Sequence, residues 1–83
     1  MSYDRITQAG KLCIGAKQTA KLIELGMANE VFIAKDADPR VTLKITNLCK
    51  KTGMNVTYVD SMKQLGKACR IAVGAAVAAI VNE

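Results

Sequence analysis

The chain has 83 residues, of which 51% are hydrophobic but only three are aromatic, and its twelve Lys+Arg outnumber seven Asp+Glu to give a formal charge of +5. This length supports one domain over residues 1–83 with a small aliphatic core that buries about 60–65% of the unfolded chain's surface, and it excludes a second domain. With no histidine, the usual general base and the commonest transition-metal ligand are both missing, so no enzyme activity, metal or cofactor is expected. The excess of positive charge favours a polyanionic partner.

Taken in chain order, Ser2 can cap a first short helix over Tyr3–Ala9, with Ile6 and Ala9 inward and Gly10 ending it. Leu12-Cys13-Ile14 reads as a short strand. Gly15 then supplies a tight turn into a helix that closes at Gly26, where a left-handed residue is usual. Ala16, Ala20, Ile23 and Met27 form its expected apolar stripe. Val31-Phe32-Ile33-Ala34 is a continuous apolar run of strand length, followed by Asp38 as N-cap and Pro39 at the first helical position. The helix from Pro39 runs to about Thr52, with Val41, Ile45, Leu48, Cys49 and Thr52 on one face and Gly53 as its stop.

Asn55 to Val59 alternates like a strand, and Ser61 with Gln64 makes a capping box that opens a further helix whose inner side is Leu65, Ala68 and Cys69. Arg70 to Gly74 is read as a turn and Ala75–Val81 as a last strand of small residues. Strands and helices that alternate through short connections signal an α/β domain in three layers.

Cys13, Cys49 and Cys69 are odd in number, widely spaced and in apolar contexts, which indicates buried free thiols rather than a disulfide framework or a zinc site. Met1 to Arg5 lacks the regions of a signal peptide, and the longest uncharged run, Ile71–Asn82, has 12 residues, short of a bilayer span. The expectation is a soluble, cytoplasmic protein.

Two places break local rules. Lys17 and Lys21 lie near a helix start, where the macrodipole disfavours cations by a few tenths of a kcal/mol each, and no acidic residue precedes Glu24 to offset them. Free N–H groups beside two lysines suit an anion such as phosphate; the ordinary alternative is a solvated face. The turn at Arg70–Gly74 places apolar Ile71 and Val73 between a helix end and a strand, flanked by Lys67 and Arg70. Either these side chains tuck into the core, or the loop packs on something flat and partly charged such as exposed nucleobases. Stacking on sheet aromatics is excluded as the main mode, because Phe32 belongs to the core pattern and only Tyr3 and Tyr58 remain. A surface of lysines, helix amides and one loop suits a bent, structured RNA.

The segment Gly15 to Gly26, the run Val31 to Pro39 and Leu65-Gly66-Lys67-Ala68-Cys69 together resemble the ribosomal L-seven-Ae family in order and spacing over nearly the whole chain, closest to its small stand-alone bacterial members. The resemblance implies an α/β/α sandwich with a mixed four-stranded sheet. It also implies a non-catalytic protein that binds kink-turn RNA, a sharply bent helix with tandem sheared G·A pairs, in ribosomal RNA or a riboswitch. The family's Gly-x-Asn-Glu-x-x-Lys segment, which enters the major groove at the G·A pairs, maps onto Gly15, Lys17, Gln18 and Lys21. The loop that packs against extruded bases maps onto Ile71, Ala72 and Val73. Lys17-Gln18 stand in place of the Asn-Glu of archaeal members, so the base-edge contacts differ, and Arg70 stands where related sequences usually have Gly. Gln18 keeps an acceptor and adds a donor, which still suits a guanine edge.

The expected binding residues are therefore Gly15, Lys17, Gln18, Lys21, Lys67, Arg70, Ile71, Ala72 and Val73, acting in a monomer. The rival expectation is a protein-interaction or small-anion-binding module that uses the same helix start.

Overall fold

A computed structural model describes Ile6 and residues 11–81. The expected first helix, Tyr3–Ala9, lies outside the described residues except for Ile6, which is helical and buried. The described elements are β1 (Leu12–Ile14), α1 (Ala16–Glu24), β2 (Ala28–Ala34), α2 (Pro39–Thr52), β3 (Val56–Val59), α3 (Met62–Ala68) and β4 (Val77–Val81). The strands form one mixed sheet in the order β1-β4-β2-β3. β4 runs antiparallel to both of its neighbours, while β2 and β3 are parallel.

Two cores, one on each face, follow from the alternation of side chains along the central strands. Val31 and Ile33 of β2 join Val77 and Ala79 of β4 under α1 and α2, which contribute Ala20, Ile23, Ile45 and Cys49. Phe32, Ala34 and Ala78 face the other way, against Leu65 and Cys69 of the α3 segment and against Ile6. The result is the three-layer α/β/α sandwich with a mixed four-stranded sheet. Alanines at two of the five β4 positions, Ala78 and Ala79, keep the layers close, as a core with so few aromatics requires.

Local signals placed α2 to the residue. The Asp38 carboxylate accepts from the Arg40 N–H at 2.9 Å, Pro39 opens the helix, and Gly53 closes it at φ 71°. The Arg40 guanidinium and N–H hold the Asp38 carboxyl below the usual carboxylate range. Three expectations change. Met27, read as the end of the α1 stripe, is 43% exposed, because the left-handed turn at Gly26 (φ 70°) takes the chain off the helix before that position. Thr19 fills the inward face instead and is fully buried, since i, i+3, i+4 and i+7 from Ala16 are Thr19, Ala20 and Ile23. The last strand begins at Val77 rather than Ala75; Ala75 donates instead to the Met62 carbonyl, at 3.0 Å.

Val41, in the first turn of α2 and expected on its inner face, is also exposed. Strand β2 is longer than its apolar run, starting at Ala28 and burying Glu30, whose carboxylate accepts from the Thr57 hydroxyl at 2.9 Å. A glutamate in that position carries no sequence signal for burial. All three thiols are free; Cys49 and Cys69 are buried and Cys13 half-buried, and burial pushes each thiol above its ordinary range.

Candidate nucleic-acid interface

The directions of the strands bring four segments to one end of the sheet. β1, β2 and β3 all run toward it and β4 starts from it, so the first turns of α1, α2 and α3 and the loop 70–76 converge there. Hydrogen bonds pin the convergence. Gly15 N–H donates to the Val77 carbonyl at 2.9 Å, Ala34 N–H to Ala76 at 2.9 Å and Lys35 N–H to Val59 at 2.9 Å. The carboxyl ends of parallel strands are where ligand sites form in open α/β sheets.

The three helix starts differ in chemistry. At α2 the Asp38 carboxylate accepts from the backbone, and at α3 the Ser61 hydroxyl accepts from the Gln64 N–H at 3.1 Å while Asp36 accepts from the Met62 N–H at 2.7 Å. At α1 the cap is Gly15, with φ 104° and no side chain to accept anything, and the first turn holds no acidic residue. The backbone amides of this start therefore remain available to an outside anion, where the helix dipole adds its positive end. Lys17 and Gln18 are exposed in that first turn. Lys21, also exposed, lies one helical turn beyond Lys17 in the last turn of this nine-residue helix, where the dipole favours a cation, so the expected conflict holds for Lys17 alone.

The loop after α3 has a definite shape. Arg70 N–H donates to Lys67 and Ile71 N–H to Gly66, the pair of bonds that ends a helix on a left-handed residue. α1 ends the same way, with Gly26 N–H to Ile23 and Met27 N–H to Leu22, and α2 closes through Met54 N–H to Cys49. In those two helices the left-handed residue is glycine, at φ 70° and 71°; in α3 it is Arg70, at φ 64°. A side chain in this conformation costs about 1–2 kcal/mol. Arg70 thus takes up the backbone shape that a glycine there would provide, and adds an exposed guanidinium.

Beyond Arg70 the apolar loop divides. Ile71 is half-buried against the Leu65 side of the core, while Ala72 and Val73 face solvent, Val73 at 71% exposure. Ile71 thus tucks toward the core, while Ala72 and Val73 are left free for contact from outside. Lys67 is exposed but lies in the last turn of α3, about 7.5 Å along the axis from Met62, so it borders the site through the loop rather than from the helix starts. The structure brings Gly15, Lys17, Gln18 and Lys21 together on α1 and its cap, and places Ala72 and Val73 on the loop that returns to the same sheet end, with Arg70, like Lys67, at the C-terminal end of α3.

Among the described residues there is no cluster of metal-ligating side chains, and no helix is long and apolar enough to cross a membrane. What sequence reading missed is a cleft of about 600 Å³ between α1 and α2, bordered by Lys17, Lys21, Arg40 and Lys44. It joins elements about twenty residues apart, which no local pattern announces.

Residues 3–83 match the profile of the ribosomal protein L7Ae/L30e/S12e/Gadd45 family. An RNA-binding protein of Geobacillus sp. (strain WCH70) is 51% identical over 82 residues, covering 99% of this chain and all of that one. The RNA-binding protein YbxF of Geobacillus stearothermophilus is likewise 51% identical over 82 residues with the same coverage. Among solved structures, the Giardia lamblia 15.5kD RNA binding protein superposes with a TM-score of 0.87 at 30% identity, over 98% of this chain and 71% of that one. The agreement of profile, full-length relatives and fold places the chain in the L7Ae/L30e/S12e/Gadd45 ribosomal-protein family, as a non-catalytic member.

Proposed function

We propose that residues 1–83 form one RNA-binding domain that acts as a cytoplasmic monomer and recognises kink-turn RNA, in ribosomal RNA or a riboswitch. One observation carries this reading: the uncapped start of α1, with exposed Lys17 and Gln18 and with Lys21 one turn further on, and the loop that runs from Arg70 into β4 converge on one end of the sheet. The names of the full-length relatives, RNA-binding proteins, support RNA as the partner. The amides around Gly15 and the ammonium groups of Lys17 and Lys21 hold phosphates of the bent strand. Gln18 hydrogen-bonds base edges in the groove that the bend opens. Ala72 and Val73 give an apolar surface on which unstacked bases rest, with Lys67 and Arg70 beside it for their phosphates, while Ile71 anchors the loop to the core.

Titration against a kink-turn RNA and a straight duplex of equal charge tests the reading. The kink-turn is expected to bind at least about tenfold more tightly at the same salt. Equal affinities would reduce the protein to a general polyanion binder, and no binding to either would favour the protein-interaction or small-anion module.

A further inference from the structure

We infer that the cleft between α1 and α2 is a second RNA subsite, which takes one unstacked nucleotide of the bound RNA with its base on the apolar floor and its phosphates on the cationic rim. This inference rests on the proposed RNA-binding function and extends the interface along a face that the α1 start and the 70–76 loop do not cover. The cleft measures about 600 Å³, within the range that holds a ligand the size of a nucleotide.

Its chemistry is divided as a nucleotide requires. Ala16 of α1 and Val41 of α2 give it an apolar floor open to solvent, backed by the buried Ala20 and Ile45 and without a charged group, and the small alanine leaves room for a flat ring. The rim carries Lys17 and Lys21 on one side and Arg40 and Lys44 on the other, each pair one helical turn apart. Glu24 is the single acid on the lining, at the end of the cleft toward the α1 C-terminus. Arg40 is engaged by Asp38, with Nη2 2.9 Å from Oδ2, so the Lys17, Lys21 and Lys44 ammonium groups supply the charge. A rim of three such cations above an apolar floor matches a base flanked by phosphates and is too basic for the apolar face of a partner helix.

Continuity with the α1 start argues for a chain rather than a free nucleotide. Lys17 lines the cleft and also stands in the uncapped first turn, and Lys21 follows it one helical turn along the rim, so a strand whose phosphate sits at the α1 start reaches the cleft with its next residues. Exposed Val41 also gains a partner in this arrangement, being otherwise a solvent-facing apolar residue on the floor of the cleft.

The test follows the methyl signals of Val41 and Ile45 by NMR during titration with a kink-turn RNA and, separately, with 5′-AMP, beside affinity measurements on Lys44→Ala and on Lys50→Ala as an exposed control outside the cleft. The expected result is ring-current shifts of both methyl groups on RNA addition, a roughly 3- to 10-fold weaker affinity and a salt slope smaller by about one for Lys44→Ala, and less than about a twofold change for Lys50→Ala. RNA that binds at wild-type affinity to Lys44→Ala and leaves both methyls unmoved overturns the subsite while the proposed function stands. Shifts with 5′-AMP but not with RNA overturn it in favour of a free-nucleotide site. Absence of any RNA binding ends both readings.

Discussion

The carbonyl oxygen of Val73 occupies the space that a Cβ on Gly66 would fill, and the Cα of Gly74 stands only 3.0 Å from the same point. Helix α3 and the exposed loop that returns to β4 are therefore in backbone-to-backbone contact, and the shape of the loop depends on a residue without a side chain inside a helix.

Gly66→Ala sets two effects against each other. Alanine gains about 1 kcal/mol over glycine in a helix interior, but here the added methyl meets backbone that must move, and overpacking of this kind costs about 1–3 kcal/mol. The clash is expected to win, with a net loss of up to about 2 kcal/mol in urea denaturation and a weaker RNA affinity through displacement of Ala72 and Val73. A stabilised variant with unchanged affinity would show that the loop yields freely.

Arg70→Gly is expected to act in the opposite sense on stability. Relief of the left-handed strain returns about 1–2 kcal/mol, and the freer unfolded chain takes back about 0.5–1, leaving a gain of roughly 1 kcal/mol. Because Arg70 already holds φ 64°, the loop keeps its course and only the charge is lost. RNA affinity is then expected to fall with a salt slope reduced by about one. A large change in kink-turn preference without a change in slope would contradict this division.

Thr19 carries a buried hydroxyl with no hydrogen bond of good geometry; its looser contact with the Cys13 thiol only partly offsets the effect of burial on that group. Thr19→Val removes the hydroxyl while keeping the shape, and thermal denaturation should show a gain of about 1 kcal/mol. A loss of stability would mean that the hydroxyl holds a hydrogen bond in solution.

The three thiols lead to a pH prediction. Burial raises their folded-state pKa above the ordinary 9.0, so the folded chain binds these protons more tightly than the unfolded chain, and stability falls as pH rises through and beyond that value. The midpoint of urea unfolding is therefore expected to drop between about pH 8 and 10, and native thiols to label far more slowly than unfolded ones. Rapid labelling of Cys49 or Cys69 in the native protein, blocked by RNA, would place a thiol in the site.

Which features were legible in the sequence depends on how local their causes are. Asp38-Pro39 and Gly53 fix both ends of α2 by backbone chemistry within a few residues, Gly26 fixes the end of α1 and Ser61 the start of α3. Lys17 stands out because a cation in the first turn runs against the dipole of its own helix. Lys21 reads the same way in the sequence but lies in the last turn, where a cation is favoured, and Gln18 is marked only by the family resemblance. Burial of Glu30 depends on Thr57, 27 residues away, and the conformation of Arg70 is set by Gly66 and Lys67 carbonyls that only the folded helix positions. The α1–α2 cleft likewise exists only once two helices pack on one face of the sheet. Tertiary placement decides such features, and pattern reading stops short of it.

The most direct test of base reading by this surface compares Gln18→Ala with Lys21→Ala on a kink-turn RNA and on a straight duplex of equal charge, across a salt series. Lys21→Ala should weaken both RNAs alike and reduce the salt slope by about one. Gln18→Ala should cost about 1–3 kcal/mol on the kink-turn and little on the duplex, with the slope unchanged. Both side chains are exposed, so circular dichroism should remain native. Equal losses on bent and straight RNA for Gln18→Ala would contradict the account and leave shape and charge as the only basis of recognition.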